Sequence, residues 1–315
     1  MNLLLLIVAL LGLWAGTEVT VRQALRLAAE LRLSPMFVGL TVLAIGTDLP
    51  ELVLAIEAGL QRLTGVETSG LVVGNAIGSC LGQIGFALGV TGLFGYVTLG
   101  RRRGWTEGVF LLGSIAIFFM LGMDGGFTRL DGAILITVYL IYFATTIRRE
   151  RFENAGQIPG TTHGGAKIGA LCLLGFVVVA ASSHLAIKSA VALAEEWGIA
   201  QTFVGIVLIG IGTSLPELAV SLNAVFKKQG ALSAGNILGS NIFDMLIAPG
   251  TAAVIAGVSV DSPSMFTIDL LALLAISVLA LYFFKRRKGL QKGEASTLVI
   301  AYIAYIATRT NWAGA

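Results

Sequence analysis

Gly212-Thr213-Ser214-Leu215-Pro216-Glu217-Leu218 lies inside the apolar run from Gly205 to Gly250, followed by Gly235-Asn236-Ile237-Leu238-Gly239-Ser240-Asn241-Ile242-Phe243-Asp244. Hydroxyls, a proline, glycines and two carboxylates stand where a bilayer-spanning helix would hold leucine. An earlier stretch repeats the arrangement: Gly46-Thr47-Asp48-Leu49-Pro50-Glu51-Leu52, then Gly74-Asn75-Ala76-Ile77-Gly78-Ser79-Cys80-Leu81-Gly82-Gln83. Whatever the chain does, it requires this unfavourable arrangement twice.

Around these motifs the chain is strongly apolar. Hydrophobic residues make up 56% and charged residues 12%, with a mean hydropathy of +0.88, whereas a soluble domain is about a quarter charged. Apolar runs of roughly 18 residues or more, long enough to cross a hydrocarbon core, recur throughout. The chain reads as an all-α polytopic membrane protein. Its 40 glycines fit close helix packing in a bilayer. Cys80 and Cys172 both lie in apolar segments, which suggests packing and no disulfide framework.

Met1 to Gly16 has no basic leading region and no small-residue cleavage site, so it reads as a first span. Ser34-Pro35 opens the second, with Ser34 as N-cap and Pro35 at the first helical position. Pro50 then falls about 22 Å along a span of roughly 39 Å, near mid-membrane. Further spans are expected at about residues 70–97, 105–122, 130–147, 167–196, 202–226, 232–257, 266–284 and 294–309. The total of ten gives two five-helix repeats, residues 1–147 and 167–315, joined by a polar linker at 148–166. An odd number of spans inverts the second repeat, the plan of many secondary transporters.

Of the 21 Lys and Arg residues, 17 fall on one side of such a topology, among them Arg101 to Arg103, Lys227, Lys228 and Lys285 to Lys288. Arg62, Arg129, Lys188 and Arg309 fall on the other. Basic residues mark the cytoplasmic face, so both termini are expected to be extracytoplasmic in a multi-pass protein of the cell membrane.

The motifs carry the chemistry. Proline lacks an N–H and clashes with the carbonyl four residues back, so Pro50 should break its helix at Gly46 and Pro216 its helix at Gly212. Freed carbonyls at mid-membrane need protein, water or an ion to satisfy them. Hard cations such as Ca²⁺ take about six to eight oxygen ligands. Candidates converge here: the hydroxyls of Thr47, Thr213 and Ser214, the carboxylates of Glu51 and Glu217, and, four apart on partner helices, Ser79 with Gln83 and Ser240 with Asp244. Asn75 and Asn236 either join them or hydrogen-bond between helices. The nitrogen and sulfur cluster that zinc or copper prefers is missing. Each carboxylate at a helix centre costs about 2.5–3.5 kcal/mol, so Asp48, Glu51, Glu217 and Asp244 together cost about 10–14. Bending a helix would need only the prolines and glycines.

These paired stretches resemble the α-repeats of the cation/Ca²⁺ exchanger superfamily, most closely its microbial Na⁺/Ca²⁺ exchanger branch. The second copy, G-T-S-L-P-E-L with G-N-x-x-G-S-N-I-x-D, follows the pattern almost throughout. The first follows it at Gly46, Thr47, Leu49, Pro50, Glu51, Gly74, Asn75, Gly78, Ser79 and Cys80. The resemblance implies an antiporter that exchanges Ca²⁺ for Na⁺ by alternating access, with spans one and six moving against the repeat helices. Ca²⁺ and Na⁺ are then transported ions rather than cofactors, and the lipid bilayer is the partner. No nucleic acid and no obligate protein partner are implied. Ala44 and Gly210 complete the candidate ion-binding set.

Two departures stand out. Asp48 occupies the first-repeat position of Ser214, and Gln83 stands where an asparagine is usual. Asp48 gives the site a fourth carboxylate; four of them ionised together repel until a cation or proton neutralises them. H⁺ or K⁺ therefore joins Na⁺ as a candidate coupling ion. A Ca²⁺/H⁺ exchanger is the alternative, although that branch typically carries a glutamate where this chain has Gly78 and Gly239. A channel could also line its path with carboxylates. An intramembrane aspartyl protease would need a G-x-G-D signature, which is missing, as is the G-x-x-x-x-G-K loop of ATP-driven pumps. No enzyme is expected. His163 in the linker reads as solvated, His184 as an interhelical hydrogen-bonder, and Trp14, Trp105, Trp197 and Trp312 as interfacial anchors.

Overall fold

The computed structural model describes residues 2–99, 101–153, 165–196, 214–287 and 289–313. Thr213, Gly210, His163, Trp197, most of the linker and the first half of the expected seventh span lie outside them. Eleven helices are described: α1 (Asn2–Leu31), α2 (Pro35–Thr47), α3 (Leu49–Leu63), α4 (Ser69–Phe94), α5 (Arg101–Gly122), α6 (Arg129–Glu153), α7 (Gly165–Glu196), α8 (Leu215–Phe226), α9 (Gly230–Ala256), α10 (Pro263–Arg287) and α11 (Lys292–Ala313). Seven are long and apolar enough to cross a membrane, and α2 with α3 forms an eighth, bent span. With α8 and α11 they give the ten-helix plan of two inverted five-helix repeats.

Helix ends follow local chemistry. Ser34 accepts a hydrogen bond from the Phe37 N–H at 3.2 Å, as an N-cap should. It also donates its own N–H and hydroxyl to Glu150 at 2.5 and 2.9 Å, fastening α2 to the end of α6. Helix α6 runs on to Glu153 and α7 begins at Gly165, so both encroach on the stretch expected to be linker. Gly257, at φ +66°, closes α9 in a conformation that suits glycine.

Among the described residues, four two-residue strands are the exception to an all-helical fold. β1 (Val97–Thr98) pairs antiparallel with β4 (Gly289–Leu290), and β2 (Gly126–Phe127) with β3 (Val258–Ser259). β1 follows the third span and β3 the eighth; β2 follows the fourth and β4 the ninth. The operation that exchanges the repeats therefore turns one ladder into the other, at opposite ends of the bundle.

Helices α9 and α4 form the centre. In α9, 83% of the membrane-crossing window is buried and in α4 72%, against 28% in α6. Glycine makes this possible. A Cβ on Gly39 would meet the Leu232 carbonyl, one on Gly235 would meet that of Met36, and one on Gly239 would lie 2.6 Å from the Leu40 oxygen. Helices α2 and α9 thus touch backbone to backbone, as small residues allow in membranes.

Helices α1 and α7 form a second body. They pack through Gly12 against Ser182, Gly16 against Val179 and Gly175 against Thr20. Val21, Ala24 and Ala28 of α1 and Phe176 of α7 rest on Val38, Leu43, Val220 and Ala224. A polar tie adds to this seam: Glu18 pairs with Lys227 at 2.8 Å and accepts from Asn223 at 3.3 Å. Trp14 and Trp105, 67% and 66% exposed, stand on the outer surface, where interfacial anchors belong.

Candidate functional site

The bend between α2 and α3 is 45° and falls at Asp48, two residues beyond the expected Gly46. Asp48 has φ −87° and ψ 3°, and Ser214, just before α8, has φ −92° and ψ 8°. Both sit in the bridge region between helix and strand. The displacement has a simple cause. Pro50 and Pro216 occupy the first turn of a new helix, where a missing N–H is no loss, so the first-repeat helix breaks ahead of its Leu-Pro pair and α8 begins at its own; the break expected at Gly212 lies outside the described residues. Asp48 N–H still reaches the Ala44 carbonyl at 3.0 Å.

Two helices therefore start at mid-bundle, and each carries a glutamate in its first turn: Glu51 in α3 and Glu217 in α8. Helix N-termini favour negative charge, which offsets part of the burial cost of these groups. Asp48, Glu51 and Glu217 each offer a carboxylate oxygen, all within 4.8 Å of one another, and all three are buried. Both Asp48 oxygens, both Glu217 oxygens and Glu51 Oε2 have no hydrogen-bond partner among the described residues. Asp48 holds the N-cap position of α3, yet its side chain caps nothing.

The fourth carboxylate is placed differently. Gln83 Nε2 donates to Asp244 Oδ2 at 2.9 Å, and Asn241 Nδ2 donates to Gln83 Oε1 at 2.8 Å. Gln83 lies in the π-helical segment Gly82–Ala87 of α4, the kind of widened turn often found at functional sites. One Asp244 oxygen, Oδ1, remains unpartnered. Ser214 donates its hydroxyl to the Ser79 carbonyl at 3.3 Å, and the Thr47 and Ser240 hydroxyls stand 3.5 Å apart. The Ala44 carbonyl lies within hydrogen-bonding reach of the Thr47 hydroxyl at 3.2 Å. Asn236 donates to Ser221 at 3.1 Å and Asn75 is half-buried. Thr213 and Gly210 lie outside the described residues.

Asp48, Glu51 and Glu217, three buried carboxylates close together, could hold a cation directly, with Asp244, Thr47 and Ser240 at hand. A cavity of about 200 Å³ opens onto Glu51, between Pro50, Leu54, Pro216 and α7. Asn241 is the residue that reading the sequence passed over. It stands beside Ser240 in the motif, a buried amide next to a proposed ligand, and that was the available signal. His184 does not make the interhelical hydrogen bond expected of it among the described residues; it lines the cavity.

The model of the family described as sodium/calcium exchanger protein matches residues 1–148 and 167–311, covering both repeats. The chain belongs to this family. As a member it is a membrane antiporter of ions and not an enzyme. The fold agrees: a solved structure of the sodium-calcium exchanger NCX_Mj is similar with a TM-score of 0.81 and 26% identity, over 97% of this chain and 98% of that one. The sodium/calcium exchanger MaX1 of Methanosarcina acetivorans is 25% identical over 97% of both chains. The Ca(2+)/H(+) antiporter ChaA of Bacillus subtilis is 23% identical over 80% of this chain and 77% of its own.

Proposed function

We propose that this exchanger moves Ca²⁺ against Na⁺ through one site at the middle of the bundle. The observation that carries the reading is the buried cluster of Asp48, Glu51 and Glu217, each with an oxygen within 4.8 Å of the others, in which every carboxylate oxygen but Glu51 Oε1 lacks a hydrogen-bond partner among the described residues. Ca²⁺ and Na⁺ are similar in size and differ in charge, so one set of oxygens holds either in competition. Glu51 and Glu217 supply the central carboxylates. Asp244 adds the oxygen that Gln83 leaves unpartnered, and the hydroxyls of Thr47, Ser79, Ser214 and Ser240 with the Ala44 carbonyl fill the remaining positions; Thr213 and Gly210, expected in the set, lie outside the described residues.

The two-body packing supports alternating access. Helices α1 and α7 move as a pair against the bundle, across the apolar seam around Val21, Phe176 and Val220, and expose the site first to one face and then to the other. The distribution of basic residues supports an orientation with both termini and the α3–α4 turn on the extracytoplasmic side; in that orientation inward Na⁺ drives Ca²⁺ out. The test is ⁴⁵Ca²⁺ uptake into proteoliposomes loaded with Na⁺, with K⁺, or given only a proton gradient, beside Glu217→Gln. Uptake that needs internal Na⁺ and vanishes in the variant supports the reading; uptake without any coupled gradient refutes it.

A second reading, Ca²⁺/H⁺ exchange, is favoured by Asp48. Ser214, its counterpart, donates to the Ser79 carbonyl, and an ionised Asp48 has no hydrogen to give. A proton on Asp48 restores a donor, so a proton gradient becomes a usable driving force. Uptake driven by that gradient alone decides for this alternative.

A further inference from the structure

The packing of α1 on α7 obeys the operation that exchanges the repeats. The step of 166 residues that carries Gly46-Thr47 onto Gly212-Thr213 also carries Thr17-Glu18 onto Ser183-His184. A Cβ on Gly12 would meet Ser182, and the counterpart contact, Gly16 on Val178, is present as well. Gly175 approaches Thr20, and their counterparts Ala9 and Ala186 share one apolar cluster. Against the rest of the bundle the same operation fails. Val21 and Val220 are fully buried in one cluster, whereas their counterparts Ile187 and Leu54 are half-buried and line the cavity beside Pro50. The seam is closed at its α8 end and parted at its α3 end.

The closed end carries a latch. Glu18 of α1 pairs with Lys227 at 2.8 Å and accepts from Asn223 at 3.3 Å. The counterparts of Glu18, Asn223 and Lys227 are His184, Glu57 and Gln61. Donor and acceptor have changed places: the acid rides on α1 at one end and stands on α3 at the other. His184 and Glu57 are both exposed, and Glu57 accepts from Gln61 at 3.2 Å. We propose that His184 and Glu57 form a second latch, made when α7 closes onto α3, and that the two latches hold the two access states in turn. His184 donates a ring N–H to the Glu57 carboxylate, and Lys188, exposed one turn further along α7, adds positive charge to the same face. Because α1 and α7 pack as one body, one latch opens as the other closes. Reciprocal latches keep either state from being held too firmly for turnover. This inference rests on the alternating-access reading.

The experiment reads both passages with cysteines, Leu54→Cys at the cavity and Val220→Cys at the closed seam, in separate full-length proteins in proteoliposomes. A membrane-permeant maleimide labels each, against the background of buried Cys80 and Cys172 in the wild type. The ratio of the two labelling rates follows the balance between the access states. Adding Lys227→Ala breaks the existing latch and lowers the Leu54-to-Val220 ratio. Adding Glu57→Ala or His184→Ala breaks the proposed one and raises it, whereas His184→Gln keeps a donor and stays near the parent ratio. Each shift is about two- to fivefold, the range for a partly exposed pair. A merely structural role would change stability and leave the ratio alone. A ratio that is unchanged or lowered in both Glu57→Ala and His184→Ala, with Val220→Cys labelled, overturns the second latch alone. Val220→Cys that stays unlabelled in Na⁺, in Ca²⁺ and without either overturns alternating access across this seam, and the latch with it.

Discussion

Gln83 and Asp244 stand 161 residues apart in the chain and 2.9 Å apart in space. Cys80 and Asn241 have the same separation, and the Cys80 thiol donates to the Asn241 carbonyl at 3.5 Å. The same step carries Gly74 onto Gly235, so each contact joins a residue to its own counterpart in the other repeat. Counterparts under a two-fold operation meet only near its axis. The axis therefore passes between α4 and α9, beside the acidic cluster, and Gln83 and Asp244 are where the repeats have diverged from one another.

Gln83 is thus a bridge. Removing its amide in Gln83→Leu leaves Asp244 without a donor and the Asn241 amide without its side-chain acceptor. Loss of a buried partner costs about 1–3 kcal/mol, and loss of a group that orients a metal ligand weakens binding about 10–100-fold. Thermal unfolding of the purified protein with and without Ca²⁺ reads both effects. A variant matching wild type in both would show that the bridge orients nothing.

Glu217→Gln and Glu51→Gln should behave in the opposite way toward stability. Each removes one of three close, buried carboxylates, so the ion-free protein should unfold at the same temperature or higher. Ca²⁺ at a hundred times its dissociation constant stabilises wild type by about 2.7 kcal/mol; in either variant that gain should disappear. Calorimetry across a Ca²⁺ titration measures the difference. A preserved Ca²⁺-dependent shift would remove these glutamates from the site.

Asp48→Ser restores the second-repeat residue in the first and removes a negative charge. Na⁺-driven ⁴⁵Ca²⁺ uptake should persist, and any component driven by H⁺ or requiring K⁺ should be lost. The Na⁺, K⁺ and pH dependences of uptake, measured side by side with wild type, check this. Identical dependences would reduce Asp48 to an attractor of cations.

Gly235→Ala should cost far more than a helix propensity would suggest. The new methyl meets the Met36 carbonyl, and backbone on both sides cannot give way, so α2 and α9 must separate. Overpacking typically costs about 1–3 kcal/mol. Gly113→Ala, in α5 with nothing within 4 Å, is the control and should be neutral or slightly stabilising. Detergent thermal midpoints of the pair settle it; equal midpoints would mean that the glycine seam is not tight.

Much of this was legible in the residues. Apolar length gave the spans, because a bilayer imposes one thickness on every helix that crosses it. The duplicated G-T-x-L-P-E and G-N-x-x-G-S motifs gave the inverted repeats, and the expense of mid-membrane carboxylates pointed to a cation. These are local or additive properties, and sequence carries them directly. The position of the bend was not legible to the residue: a proline can interrupt the helix behind it or begin the next, and packing around Asp48 and Ser214 chose the second.

The tertiary structure alone decided which polar groups are partners and which are left over. Gln83 stood among the expected oxygen ligands; in the fold its amide nitrogen donates to Asp244 and its oxygen accepts from Asn241. Asp48 was only an extra acid, and folding leaves both its oxygens unpartnered beside Glu51 and Glu217. Hydrogen-bond satisfaction depends on what faces a group across the bundle, a relation between residues as much as 161 positions apart, and no local pattern records it.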